Sequence, residues 1–272
     1  MTNVGLLGCG AIGTEMAKGI VDGKAGNASL VALFDQDGTQ AAKLAGILPR
    51  PVLCFTDFDR FCATDGMHLV VECASPLAVR VLGSRVLEAD MDLLMVSSGA
   101  LADAAVFRTL CGLAATKNRR LMVPSGALGG IDAIRAAREF LDEVTLTSTK
   151  PPKALSGAPG FKTWEGKVLT EPTVVFEGNA QEAIEMFPAN VNVGVTLSLA
   201  GLGPERTRIR IVADPGAWDN VHEVYARGAF GVFRFRLENR PHITNARTSY
   251  LAVLSALETL RAACTPGLRI GT

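Results

Sequence analysis

The stretch Val4-Gly5-Leu6-Leu7-Gly8-Cys9-Gly10-Ala11-Ile12-Gly13 decides how the rest of the chain is read. A short apolar run, with the signature of a buried strand, breaks into Gly8-x-Gly10-x-x-Gly13. Residues 14 to 21 then continue as an amphipathic helix. Strand, glycine turn and helix in that order are the context a dinucleotide-binding fingerprint requires. The first glycine permits the tight turn, the second lets a pyrophosphate approach bare backbone, and the third lets the helix pack closely on the strand. Gly8, Gly10, Ala11, Ile12 and Gly13 are therefore candidate cofactor contacts, with the phosphates at the positive N-terminal end of the helix. The alternative is a glycine turn in an empty domain of the same fold.

A second strand, Ser29 to Phe34, ends in Asp35, about the distance downstream at which such sites place the acid that binds the adenosine ribose hydroxyls. Gln36, Asp37 and Gly38 follow, with no Arg or Lys to hold a 2′-phosphate. NAD is expected over NADP.

The 272 residues are 48% apolar and 20% charged, enough for one large domain or two modest ones with a real core. Lys+Arg and Asp+Glu both number 27, which argues against a nucleic-acid groove or a polybasic membrane patch. No apolar run reaches transmembrane length, and the start lacks a leader pattern, so a cytoplasmic protein is expected. Six cysteines (Cys9, Cys54, Cys62, Cys73, Cys111, Cys264) show neither CxxC nor metal-ligand spacing, so no metal site is expected, and most should pack as small apolar side chains.

Strand and helix patterns alternate up to about residue 124. Helices are expected at 39–48, 57–62, 76–89 (Ser75 as N-cap, Pro76 in the first turn) and 103–117. Strands are expected at 52–55, 67–74, 93–96 and 121–123. Alternation of this kind implies a parallel sheet. The small-residue loops after its later strands should line the nicotinamide end, with Ala74, Ser98 and Gly99 as candidates. Beyond Gly130 the pattern changes to a helix (131–141), an alternating strand ending at Lys150, and a Pro- and Gly-rich stretch from Pro151 to Pro172 read as a long loop or arm. Further strands are expected at 207–213, 222–226 and 232–237. The expected architecture is α/β: an N-terminal Rossmann parallel sheet (1–128) and a second α+β domain (129–242). The segment 243–272 carries a last amphipathic helix, with Leu251, Leu254, Leu257 and Leu260 on its apolar side, able to return to the first domain.

A nicotinamide enzyme needs a proton-transfer group near neutrality, and histidine suits this. Of three histidines, His68 reads as core packing and His242 as a surface turn residue. His222 enters a strand on which alternation places Asn220, His222 and Val224 on one face. It is the catalytic candidate, against a structural histidine as the alternative. The short-chain dehydrogenase pattern Tyr-x-x-x-Lys is absent, because Tyr225 and Tyr250 are followed four residues on by Ala229 and Leu254. Lys150 is a candidate anion holder or else an exposed strand-end lysine.

The opening glycine motif and the block Val123-Pro-Ser-Gly-Ala-Leu-Gly-Gly-Ile-Asp132 resemble the L-aspartate dehydrogenase family. So do Thr149-Lys-Pro-Pro-Lys153, Val175-Phe-Glu-Gly178, Phe187-Pro-Ala-Asn-Val-Asn-Val193, Ile211-Val-Ala-Asp-Pro215, Asn220-Val-His222 and Thr248-Ser-Tyr-Leu251. The likeness runs along essentially the whole chain. It implies NAD(P)-dependent oxidation of L-aspartate to iminoaspartate, which hydrolyses to oxaloacetate and ammonia or feeds the quinolinate branch of NAD biosynthesis. It further implies His222 as the active-site residue, Ala127 and Asn192 as cofactor contacts, Asn190 as a second choice, and a homodimer. Lys150, Asn190 and Asn220 are weaker substrate candidates. Two rivals stand beside it: a homoserine- or dihydrodipicolinate-type reductase, and a catalytically silent NAD sensor.

Overall fold

The computed structural model describes residues 1–188, 192–242 and 245–268, and for 241–248 the backbone alone. The chain divides into two compact units: Met1–Pro124 with the C-terminal segment from Val253, and Ser125–Ala252. Among the described residues no helix is long and apolar enough to cross a membrane.

The first unit runs β1 (Thr2–Leu7), α1 (Ala11–Val21), β2 (Ala28–Phe34), α2 (Gly38–Gly46), β3 (Leu53–Phe55), α3 (Phe58–Cys62), β4 (Leu69–Glu72), α4 (Pro76–Glu88), β5 (Asp92–Met95), α5 (Ala104–Thr116) and β6 (Leu121–Met122). Its six strands are parallel in the order β3-β2-β1-β4-β5-β6, the doubly wound nucleotide-binding arrangement the glycine turn led us to expect. The strands are apolar on both faces because helices cover both, hence the unbroken burial of Leu69–Glu72 and Asp92–Met95. Caps set the helix starts. Ser75 accepts from the Ala78 N–H with Pro76 in the first turn, and Asp57 and Asp103 cap α3 and α5 in the same way.

The second unit runs α6 (Ile131–Ala137), β7 (Leu141–Lys150), α7 (Pro152–Leu155), β8 (Thr173–Asn179), α8 (Ala180–Met186), α9 (Asn192–Ala200), β9 (Arg208–Ala213), β10 (Asn220–Gly228) and β11 (Gly231–Asn239). A short hairpin, β12 (Pro241–His242) and β13 (Asn245–Ser249), leads into α10 (Tyr250–Cys264). The five main strands form a mixed sheet in the order β11-β10-β7-β9-β8, with only β7 and β9 parallel. One face alternates into a core of Val144, Leu146, Ile209, Ile211, Val224 and Ala226, packed with Leu197 of α9 and Ile134 of α6. The last helix returns to the first unit, where Val253, Ala256, Leu257, Leu260 and Cys264 join its core.

Four expectations need correction. His68 is exposed just before β4, because the strand is shorter than its apolar run suggested and begins at Leu69. The stretch Pro151–Pro172 is not a free arm: it carries α7 and a 3-10 turn at Pro159–Trp164, and Leu155 and Phe161 are buried in the second core. The helix expected at 131–141 stops at Ala137, and Leu141 already belongs to β7. On α10 the buried side is Val253, Ala256, Leu257, Leu260 and Cys264, leaving Leu254 exposed. Three cysteines (Cys9, Cys73, Cys264) are buried, Cys62 and Cys111 are half-buried, and Cys54 is exposed; all are free thiols.

Candidate active site

In the first unit the glycine turn is built by close packing. Gly8 has φ +99°, and a side chain there would press on the backbone of Ala74 at 2.8 Å. A Cβ at Gly13 would stand 2.0 Å from the carbonyl oxygen of Gly8, so only hydrogen fits where α1 leaves the turn. At Gly10 nothing among the described residues lies within 4 Å of that position, so the backbone there is open to an incoming group. Beside it lies a cleft of about 550 Å³ lined by Leu7, Gly8, Gly10, Phe34, Asp35, Gln36, Ala74, Ser75 and the first turns of α4. Asp35 stands half-buried at its rim, one carboxylate oxygen accepting from the Cys9 N–H (2.8 Å) and the other from the Asp37 N–H (3.0 Å). Those bonds fix the acid without using up its lone pairs, so ribose hydroxyls still find acceptors. A bare glycine backbone, an open helix N-terminus and a fixed acid fit a dinucleotide. Ala11 and Ile12 start α1, with Ile12 packed on the core. Ala74 lines the cleft, whereas Ser98 and Gly99 are buried in a 3-10 turn rather than forming an open loop.

In the second unit the same sheet face that is apolar at Val144, Leu146, Val224 and Ala226 turns polar toward one end. Alternation carries Ser148 and Lys150 on β7, Asn220 and His222 on β10, and Asn239 on β11 to that end, all buried. Register brings them together, His222 opposite Ser148 and Asn220 opposite Asn239. His222, 2% exposed, holds its Nδ1 2.9 Å from the Ser148 Oγ. Burial, reinforced by the positive charge of Lys150, pushes the imidazole down to about 3, so it is neutral at pH 7. Burial likewise brings the Lys150 ammonium down to about 8. The amide nitrogen of Asn220 is buried with no hydrogen-bond partner among the described residues. Asn239 donates to the carbonyl of Ala127 (3.1 Å), which anchors the Ser125–Leu128 turn to the cluster's edge. Asn192 opens α9, half-buried, and Asn190 lies outside the described residues. Lys150 is thus not an exposed strand-end lysine. Among the described residues no three His, Cys, Asp or Glu side chains converge as a metal would need.

Residues 132–263 match the family model described as aspartate dehydrogenase, C-terminal, and residues 8–124 that of homoserine dehydrogenase, NAD binding domain. An L-aspartate dehydrogenase of Methanosarcina acetivorans is 43% identical over 275 residues, covering 100% of both chains. The chain belongs to the L-aspartate dehydrogenase family. Another member, from Methanosarcina mazei, is 42% identical over the same span and coverage. The crystal structure of aspartate dehydrogenase from Thermotoga maritima superposes with a TM-score of 0.79 at 29% identity, covering 99% of each chain. A homoserine-type build is thereby confined to the nucleotide-binding half, since the second half carries the family's own model.

Sequence reasoning missed three of the buried polar residues at these sites, Ser148, Asn239 and Glu72. Ser148 and Asn239 become visible only through strand register. Glu72 left one signal: it is a lone acid ending the otherwise apolar Leu69-Val70-Val71.

Proposed function

We propose that the chain catalyses NAD(P)-dependent oxidation of L-aspartate to iminoaspartate, with His222 as its acid–base residue. Family membership at 43% identity across the full chain carries the reaction, and the buried Ser148–His222–Lys150–Asn220 cluster supports the residue assignments. The bound cofactor supplies the hydride acceptor at its nicotinamide. Gly8, Gly10, Ala11, Ile12, Gly13, Asp35 and Ala74 would hold the dinucleotide, with Ser98, Gly99, Ala127 and Asn192 as further candidates toward the nicotinamide. NAD is preferred because Asp35 would repel a 2′-phosphate, and NADP is the alternative.

On this reading Lys150 and Asn220 receive the carboxylates of aspartate, and the polar end of the sheet provides the dry pocket. Ser148 occupies Nδ1 of His222 and leaves Nε2 to face substrate. In the empty site the imidazole is a weak base, because burial and Lys150 both oppose its charge. A carboxylate that pairs with Lys150 cancels that repulsion and raises the imidazole toward the range useful for taking a proton from the amine or from the water that attacks the imine. The imine released hydrolyses to oxaloacetate and ammonia, or serves the quinolinate branch of NAD biosynthesis. Homodimer assembly is part of the same reading, carried by the resemblance. A cytoplasmic setting agrees with six free thiols, one of them exposed.

The deciding assay mixes purified protein with NAD and L-aspartate, beside D-aspartate, L-glutamate and L-homoserine. NADH formation with L-aspartate alone is expected. Measurable NAD binding with no turnover on any of the four would defeat the assignment.

A further inference from the structure

Glu72 ends β4 among apolar neighbours and is 1% exposed, yet both oxygens of its carboxylate are hydrogen-bonded. One oxygen accepts from the N–H groups of Ala74 (2.8 Å) and Ser75 (2.9 Å) and from the Ser97 hydroxyl (2.8 Å). The other accepts from the Ser97 N–H (3.0 Å). Its own carbonyl accepts from Val96 (3.0 Å). No cation lies among these partners. A group placed only to fill the strand end would be apolar, as Val70 and Val71 are, because a buried ion is costly unless every lone pair is used.

These bonds reach the cofactor cleft. Ala74 and Ser75 line it, and Ala74 is the residue whose backbone would sit 2.8 Å from a Cβ on Gly8. The β4–α4 loop and the glycine turn therefore bear directly on one another, and Glu72 sets where the loop stands. Ser97, on its other side, opens the turn carrying Ser98 and Gly99. Four donors converge on one carboxylate, which serves as an internal anion tying two cofactor-side loops to the strand below them.

We propose that Glu72 is a positioning residue for dinucleotide binding, bracing the loops after β4 and β5 against the glycine turn. This rests on the dinucleotide reading of the cleft. In Glu72→Gln the shape is kept, but an amide N–H replaces the oxygen that faces the Ser97 N–H, leaving two donors opposed.

The test is calorimetric titration of NAD into wild type, Glu72→Gln and a control, Leu110→Ala. The control removes packing from the buried side of α5. All are measured at a temperature where each is folded. Glu72→Gln is expected to weaken NAD binding about tenfold with the KM for L-aspartate within twofold of wild type. The control should lower the melting temperature while leaving NAD affinity unchanged. Wild-type affinity in Glu72→Gln, or equal weakening in the control, would overturn the proposal. Should Glu72→Gln fail to fold, Ser97→Ala deletes a single hydroxyl donor and is expected to weaken NAD binding a few-fold; an unchanged affinity there would overturn it as well. Wild-type protein that binds no NAD would instead sink the dinucleotide reading itself.

Discussion

The two sheets end in buried polar groups built in opposite ways. At the end of β4 the Glu72 carboxylate accepts four hydrogen bonds from its own chain. At the polar end of the second sheet, among the described residues, His222 shows a single side-chain hydrogen-bond partner and the amide nitrogen of Asn220 has none. Burying a polar group without a partner costs about 1–3 kcal/mol; the hydroxyls of Thr64 and Thr207 are unpartnered too, but only the Asn220 orphan lies beside His222 and Lys150 in the polar cluster. In this contrast the hydrogen-bonded carboxylate is the brace and the unpartnered amide is the group open to a ligand. The comparison separates positioning from chemistry without appeal to sequence likeness.

The largest effect that would break or sharpen this contrast is on turnover. His222→Ala should lower kcat by roughly 10²–10⁴, the range for losing a general acid–base group, with NAD affinity within about twofold of wild type by titration. Undiminished turnover would place His222 with Glu72, among the braces.

Acid unfolding comes next in size, and the two clusters should act with opposite sign. The imidazole titrates near 6.5 when unfolded and near 3 when buried. Between those values the unfolded chain holds a proton that the folded one lacks, so stability falls as pH drops from about 6.5. The loss from this group reaches about 2 kcal/mol by pH 5. Glu72 is displaced the other way: burial raises its carboxyl above the usual 4.5 against the pull of its hydrogen bonds. From 4.5 up to its raised value the folded chain holds the extra proton, so this group adds stability as pH falls through that window. Cys73 is driven well above its ordinary range by burial, reinforced by the Glu72 charge, and stays neutral. In melting curves from pH 7 to 4, His222→Gln should lose less stability than wild type and Glu72→Gln should lose more. Parallel curves for all three would contradict the assigned burial states.

How much was legible in sequence follows from the range of the interactions involved. The first sheet was readable because glycine turn, caps and apolar runs are local: Gly8 to Gly13, Asp35 and Ser75-Pro76 each carry their meaning within a few residues. His222 on the buried face of β10 was also readable, since alternation alone places Asn220, His222 and Val224 together. The rest depended on partners far along the chain. Ser148 meets His222 across 74 positions and Asn239 meets Ala127 across 112. No periodicity carries that. His68 was misread because a continuous apolar run does not mark where pairing begins. The Pro151–Pro172 stretch was misread because Pro and Gly report a broken backbone, not whether Leu155 and Phe161 are covered.

The smallest expected effect tests the orphan most directly. Asn220→Ala deletes the unpartnered nitrogen, so the folded chain gives up a penalty as well as a contact. If Asn220 merely filled space at the strand end, truncation would leave a small void and lower the melting temperature, with no reason for substrate affinity to change. If the amide waits for a carboxylate of aspartate, the two readouts separate: KM for L-aspartate rises about tenfold, equivalent to roughly 1.4 kcal/mol, while the melting temperature holds or rises. The same change at Glu72, where both carboxylate oxygens are hydrogen-bonded, cannot separate them in that direction, because removing the carboxylate strands four donors at once. A lowered melting temperature with unchanged KM in Asn220→Ala would make the second cluster a brace like the first, and the distinction between them would fall.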